Sequence, residues 1–241
     1  EEKEIENVIN KIKDKEIKGI NVTLPYKKSV IPFLNKTIND ANETHSVNTI
    51  MLDENHNLIG ENTDVFGFQA AYLKSIPNQE KKNKKVLILG AGGVAPSIIL
   101  ALLKSNIFNI SISNRTNEKS LFLKKKFNSI NVIKWDDCSK EFDKFDIVIN
   151  ATSLGLQTND EFNIDFKVYK KSMIYIDTIY NPSQTKTIKY FRSKNIRSFN
   201  GMNMFIYQGQ KSFYLWNKIN PEVDDDLIKL LESKLDLWKL E

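Results

Sequence analysis

A single cysteine, Cys138, stands in 241 residues, so the chain has no disulfide framework and no cysteine-built metal site. That scarcity fits a reducing cytoplasm. Two histidines, His45 and His56, fall in loop-like contexts without ligand spacing, so no metal is expected. Internal repeats and low-complexity tracts are absent beyond the short run Lys81-Lys82-Asn83-Lys84-Lys85. Only residues 86–103 run for 18 positions without a charge, and clustered glycines, Pro96 and Ser97 break that run. It reads as strand, turn and helix start, not as a membrane span. No signal peptide is visible, and the chain begins at Glu1 without methionine. Hydrophobic content of 41% and charged content of 27% are ordinary for a globular protein that buries a sizeable core.

What is present is more informative. Val86-Leu87-Ile88-Leu89 reads as a buried parallel strand entering Gly90-Ala91-Gly92-Gly93-Val94-Ala95, a G-x-G-x-x-A turn. The first glycine of such a turn permits its tightness, and the second lets backbone approach a pyrophosphate. The small Ala95 lets helix pack on strand. A helix N-terminus there offers free N–H groups to phosphate. The following strand, Ile110-Ser111-Ile112-Ser113, ends in Asn114-Arg115-Thr116, 24 residues after Gly90. An NAD site usually places Asp or Glu at that point to accept from the ribose 2′-OH. No acid stands here. Arg115 suits a 2′-phosphate, and Lys119 adds a second positive charge, so the expected cofactor is NADP. The net charge of +5 is scattered and favours small anionic ligands over nucleic acid.

From Val86 the pattern alternates. Strands are predicted near 86–89, 109–113, 146–150 and 173–177, and helices near 93–105, 117–127 and 184–194. Such alternation implies a parallel sheet with right-handed crossovers. Before it lie a helix over 1–18, with Ile5, Val8, Ile9 and Ile12 as its stripe, and strands over 20–24 and 47–52. A turn is expected over Asp53–Asn57, a helix capped by Thr63 or Asp64 through Leu73, and a polar hinge over 77–85. Helices are predicted over 202–217 and 224–239. The fold class is α/β in two domains. Residues 1–65 plus 201–241 form an N-terminal α/β substrate domain completed by C-terminal helices, and 66–200 form a Rossmann-type NADP-binding domain.

The first of these domains carries polar residues at unusual places for fold elements. Asn21 and Thr23 share a strand face, Asn48 and Thr49 interrupt an apolar strand, and Asn62-Thr63-Asp64 precedes a helix. Singly, each can satisfy turn or edge backbone groups. In order, they resemble the shikimate dehydrogenase family. Asn21-Val22-Thr23-Leu24-Pro25-Tyr26-Lys27, Val47-Asn48-Thr49 and Gly60-Glu61-Asn62-Thr63-Asp64 match its segments. So do the glycine turn, Asn114-Arg115-Thr116, Asn150-Ala151-Thr152-Ser153-Leu154-Gly155, Asp177-Thr178-Ile179-Tyr180-Asn181-Pro182, and the segment from Gly201 to Gly209. The resemblance spans essentially the whole chain.

It implies NADPH-dependent reversible reduction of 3-dehydroshikimate to shikimate, in aromatic amino acid biosynthesis. Lys27 and Asp64 are then the catalytic pair; Lys28 is an equal candidate on the residues alone, and the family spacing from Pro25 selects Lys27. Thr23, Asn48, Asp64, Tyr180 and Gln208 are the implied substrate contacts, suited to a polyhydroxylated ring carboxylate. Gly90, Ala91, Gly92, Gly93, Val94, Asn114, Arg115, Thr116, Lys119, Thr178 and Gly201 are the implied cofactor contacts. Gly201 is expected to leave room for the cofactor, while Phe205, Phe213 and Trp216 follow helical spacing and read as core. Asn203 replaces a family glycine, a substitution expected to be tolerated through a left-handed conformation. The family's opening Ser-x-Ser-Pro-x-x-His-Asn segment, whose serines grip the substrate carboxylate, has no counterpart before Asn21, so either the protein's start lies outside this sequence or that contact is made differently.

Two other readings share these residues: a quinate/shikimate relative of broader specificity, and an NADP-binding fragment without turnover. The expected partner is a small-molecule substrate, with neither nucleic acid nor membrane, in a cytoplasmic monomer or homodimer.

Overall fold

The computed structural model describes residues 2–157, 160 and 162–237. Its first part runs α1 (Glu2–Lys13), β1 (Gly19–Asn21), β2 (Lys36–Thr37), α2 (Asp40–Thr44), β3 (Thr49–Leu52) and β4 (Leu58–Glu61). The strands form one sheet in the order β1-β3-β4-β2, antiparallel except for the β2–β4 pair. Ile9 and Ile12 of α1 are buried with Val22, Val47, Ile50 and Leu58. Val8 is 40% exposed, so the apolar stripe runs through Ile5, Ile9 and Ile12 without it. Three of its expected elements are shorter: α1 ends at Lys13, β1 at Asn21, and β3 begins only at Thr49. Before β3, Val47 N donates to Lys27 O and Asn48 N to Glu61 O, while the Asn48 side chain takes up Thr63 and Asp64.

Helix α3 (Asp64–Phe68) continues as a wider π turn over Gln69–Leu73, and α4 (Asn78–Lys81) follows within the polar hinge. Then come β5 (Lys85–Leu89), α5 (Ala95–Lys104), β6 (Asn109–Ser113), α6 (Asn117–Lys126), β7 (Asn131–Val132), α7 (Cys138–Glu141), β8 (Ile147–Asn150), β9 (Ile174–Asp177), α8 (Lys186–Ser193) and β10 (Arg197–Phe199). These six strands make an all-parallel sheet in the order β10-β9-β8-β5-β6-β7. Both of its faces are covered, which explains the unbroken apolar runs of β5 and β8. The four strands predicted from periodicity lie where expected. The edge strands β7 and β10 escape prediction because they are short and partly polar.

The long α9 (Met202–Asn217) and α10 (Asp225–Leu237) close the chain, and α9 packs along α3. Thus α3 and α9 lie between the two sheets. Strand order reverses at β5, where β8 and β6 flank it, and ligands of open α/β sheets bind beyond the strand ends at such a point. No helix among the described residues is long and apolar enough to cross a membrane.

Candidate active site

A cleft of about 680 Å³ opens at the carboxyl ends of β5, β8 and β9, where the loops of the parallel sheet face the first sheet. Val22, Thr23, Leu24, Lys27, Asn48 and Asp64 form one wall. The glycine turn and the loops after β6, β8 and β9 form the other.

At one end Lys27 Nζ donates to Asp64 Oδ2 across 2.6 Å, with the two side chains only 14% and 7% exposed. The Lys27 backbone is pinned by its carbonyl, which accepts from Val47 N. Lys28 is exposed and lies over the Phe122 ring, so the structure separates the two lysines that the sequence leaves adjacent. Asn48 orders this end: its Nδ2 donates to Asp64 Oδ1, Thr63 Oγ1 and Gln208 Oε1, and its Oδ1 accepts from Thr63 N. Beneath them Ser212 bonds Thr49 and Thr63 and accepts from Asn21 Nδ2. Ser212 is not among the residues the resemblance implies, although its place four residues after Gln208 on one helix face is the signal for it. Thr63 stands at the N-cap of α3 without capping it. Its hydroxyl serves Asn48, and Asn62 Oδ1 accepts from Asp64 N instead.

The glycine turn faces the other end. Gly90 takes φ +104°, and a Cβ there would come within 2.8 Å of the Ala151 backbone, so this position requires glycine. At Gly92 a Cβ would meet only Ala151 O, at 3.8 Å, which leaves the backbone open to the cleft. Helix α5 starts two residues beyond Gly93, with Ala95 N donating to Gly92 O and Pro96 in its first turn. Asn114 Oδ1 accepts from Ala91 N and its Nδ2 donates to Thr116 O, so these three tie the turn to the β6 loop. Arg115 and Lys119 are exposed and line the cleft. Asp64, at the opposite end, is the one carboxylate among the described cleft-lining residues. This cradle fits a dinucleotide that carries a 2′-phosphate.

Between the two ends lie Thr178, Tyr180, Phe205 and Gly201. Tyr180 stacks on Phe205 with ring centroids 4.6 Å apart. Phe205 is therefore a cleft wall, 36% exposed, and not core as its spacing suggested. Phe213 is exposed as well, and Trp216 is half-buried with its indole N–H on Ile50 O. Helix α9 has one side on the cleft, so aromatic spacing alone misjudged its burial. Gly201 lines the cleft, and packing by itself also requires glycine there, because a Cβ would sit 2.2 Å from Thr178 O. Asn203 lies inside α9 with no left-handed conformation. The Thr178 hydroxyl donates to Asn150 O, and Thr23 is exposed at the cleft edge.

Comparison with known proteins agrees with this geometry. The family profile described as "Shikimate / quinate 5-dehydrogenase" matches residues 73–197, and that described as "Shikimate dehydrogenase substrate binding domain" matches residues 1–50. The shikimate dehydrogenase (NADP(+)) of Pelagibacter ubique is 46% identical over 229 residues, covering 95% of this chain and 84% of that protein. The crystal structure of shikimate dehydrogenase from Aquifex aeolicus superposes with a TM-score of 0.83 at 32% identity, covering 95% of this chain and 82% of that one. A Thermus thermophilus shikimate 5-dehydrogenase, solved with NADP(H) and shikimate, superposes at 0.80 with 25% identity, over 95% and 84% of the two chains.

Proposed function

Because this chain belongs to the shikimate dehydrogenase family, we propose that the cleft is its active site, with Lys27 and Asp64 as the catalytic pair. The protein is an NADP-dependent oxidoreductase that reversibly reduces 3-dehydroshikimate to shikimate, a step of aromatic amino acid biosynthesis.

The observation that carries the assignment is the 2.6 Å pair of Lys27 and Asp64, set in the same cleft as the glycine turn. NADPH, when bound, supplies the hydride. Reduction of a ketone builds negative charge on its oxygen, and the Lys27 ammonium stabilises that charge and donates the proton. In the reverse direction the neutral amine takes the proton from the hydroxyl. Asp64 holds Lys27 in place through Oδ2 and is itself oriented by Asn48 through Oδ1. Thr23, Asn48, Tyr180 and Gln208 offer neutral donors and acceptors to the ring hydroxyls. A substrate lacking one hydroxyl leaves such a group unpaired, which is a basis for rejecting it.

The pyrophosphate is assigned to Gly90, Ala91, Gly92, Gly93 and Val94. The 2′-phosphate is assigned to Arg115 and Lys119, on a loop shaped by Asn114 and Thr116, and the nicotinamide side to Thr178 and Gly201. Residues 1–65 plus 201–241 are the proposed substrate unit and 66–200 the NADP unit, in a cytoplasmic monomer or homodimer. The test is shikimate-dependent reduction of NADP⁺, followed at the NADPH absorbance band. An absorbance rise that Lys27→Ala abolishes supports the assignment; no shikimate-dependent rise in the parent protein overturns it.

A further inference from the structure

Asn150 and Asp177 end the adjacent parallel strands β8 and β9, directly opposite each other in register, and both are fully buried. Neither lines the cleft. The proposed chemistry has no use for either, yet burying a carboxylate with no cation beside it is costly. Burial pushes the Asp177 carboxyl up to about 6.

Their hydrogen bonds have one pattern, written twice. Asn150 Oδ1 accepts from Thr152 N, two residues on, and from the Thr152 hydroxyl. Asp177 Oδ1 accepts from Ile179 N, also two residues on. Each is an Asx turn that bends the chain sharply off its strand. The turns are then joined: Asn150 Nδ2 donates to Asp177 Oδ1 at 3.0 Å. Asn150 O also accepts from both the amide and the hydroxyl of Thr178. Further bonds extend the clamp outward. Asn150 Nδ2 reaches Leu154 O, and Asp177 Oδ2 accepts from Thr185 Oγ1, whose oxygen caps α8 by accepting from Ile188 N. An acid suits position 177 because four donors, the Tyr175 hydroxyl among them, converge on it and a carboxylate accepts from all of them.

The residues that follow each turn are cleft wall: Ala151, Thr152 and Ser153 after Asn150, and Thr178, Ile179 and Tyr180 after Asp177. We propose that Asn150 and Asp177 are positioning residues, a buried clamp that fixes both loops against the nicotinamide half of the dinucleotide and so sets the distance over which hydride passes. This rests on the dehydrogenase reading above. The 2′-phosphate end, assigned to Arg115 and Lys119, follows β6, which β5 separates from the clamp's two strands.

That separation supplies the test. Asp177→Ala and Asp177→Asn are titrated with NADP⁺ and with 2′,5′-ADP, which carries the 2′-phosphate but no nicotinamide. In D177A, NADP⁺ is expected to bind about tenfold more weakly, the effect of a lost turn-closing bond, with 2′,5′-ADP unchanged. Turnover with shikimate falls about a hundredfold with little change in shikimate KM, as expected of a misplaced donor. D177N recovers most of both losses, because its amide oxygen still accepts from Ile179 N and Asn150. Equal weakening of the two nucleotides, or no change in either, overturns the proposal. If D177A does not unfold cooperatively, Thr152→Val carries the same pair of titrations, since it removes the hydroxyl's bonds to Asn150 Oδ1 and Leu154 N, both in the loop after β8. A parent protein silent with shikimate defeats the dehydrogenase reading, while the contrast between the two nucleotides still decides the clamp.

Discussion

Ser97, in the first turn of α5, hydrogen-bonds the side chain of Asn62, two residues before Asp64. Asn62 Nδ2 donates to Ser97 Oγ at 3.0 Å, and Asn62 Oδ1 accepts from Asp64 N at 3.1 Å. The helix that follows the glycine turn and the backbone of Asp64, the acidic residue of the proposed catalytic pair, therefore meet through one side-chain amide. Lys104, at the far end of α5, adds an ion pair with Asp40 and Glu43 of α2.

Ser97→Ala should lower unfolding free energy by about 1–3 kcal/mol, because both partners are buried and Asn62 loses a partner. Chemical denaturation measures this, and a change within about 0.3 kcal/mol shows the bond to be dispensable.

Lys27→Ala should reduce turnover by about 10²–10⁴ while NADPH affinity stays nearly unchanged. Steady-state kinetics and a fluorescence titration separate the two quantities. Normal turnover removes Lys27 from the mechanism and returns attention to its neighbour Lys28.

Arg115→Ala should weaken NADPH about 10–100-fold, the value of a charge-assisted pair, with far less effect on NADH. Equal losses for the two cofactors mean that Arg115 does not read the 2′-phosphate.

Phe205→Ala should raise shikimate KM about 2–10-fold, because Tyr180 loses the ring it stacks on. An unchanged KM shows that Tyr180 keeps its place without the stack.

Asp177 supplies a pH signature. Its folded-state value of about 6 lies above the ordinary 3.8, because burial disfavours the charged form. A raised acid pKa means that the folded state holds the proton more tightly. Its contribution is therefore fully present below about pH 4 and lost as pH rises to about 6, roughly 3 kcal/mol in all. The nearby Tyr175 and Tyr72 have hydroxyl pKa values raised by burial, so neither titrates in this window. Unfolding free energy of D177N should lack this decline, and parallel pH curves for parent and variant refute the assignment.

Local pattern alone made much of this protein legible. Apolar runs identify β5 and β8, because a strand buried on both faces must be largely apolar. Strand β6 alternates isoleucine with serine and is placed by its position after the glycine turn and helix. The glycine turn and the missing acid after Ser113 identify the nucleotide and its phosphate, because phosphate binding uses backbone and charge at neighbouring positions. Lys27, Asn48, Asp64 and Gln208 could be nominated only through ordered resemblance, since one lysine beside another carries no local sign of its role. Tertiary structure decided what depends on contacts between distant segments. It joined Lys27 to Asp64, 37 residues away, put Phe205 on the cleft wall instead of in the core, and packed Gly201 against the Thr178 backbone. It also paired Asn150 with Asp177, 27 residues apart, in a buried clamp. A residue's own sequence neighbourhood sets its backbone preference, but its partners are set by which chain segment packing brings against it.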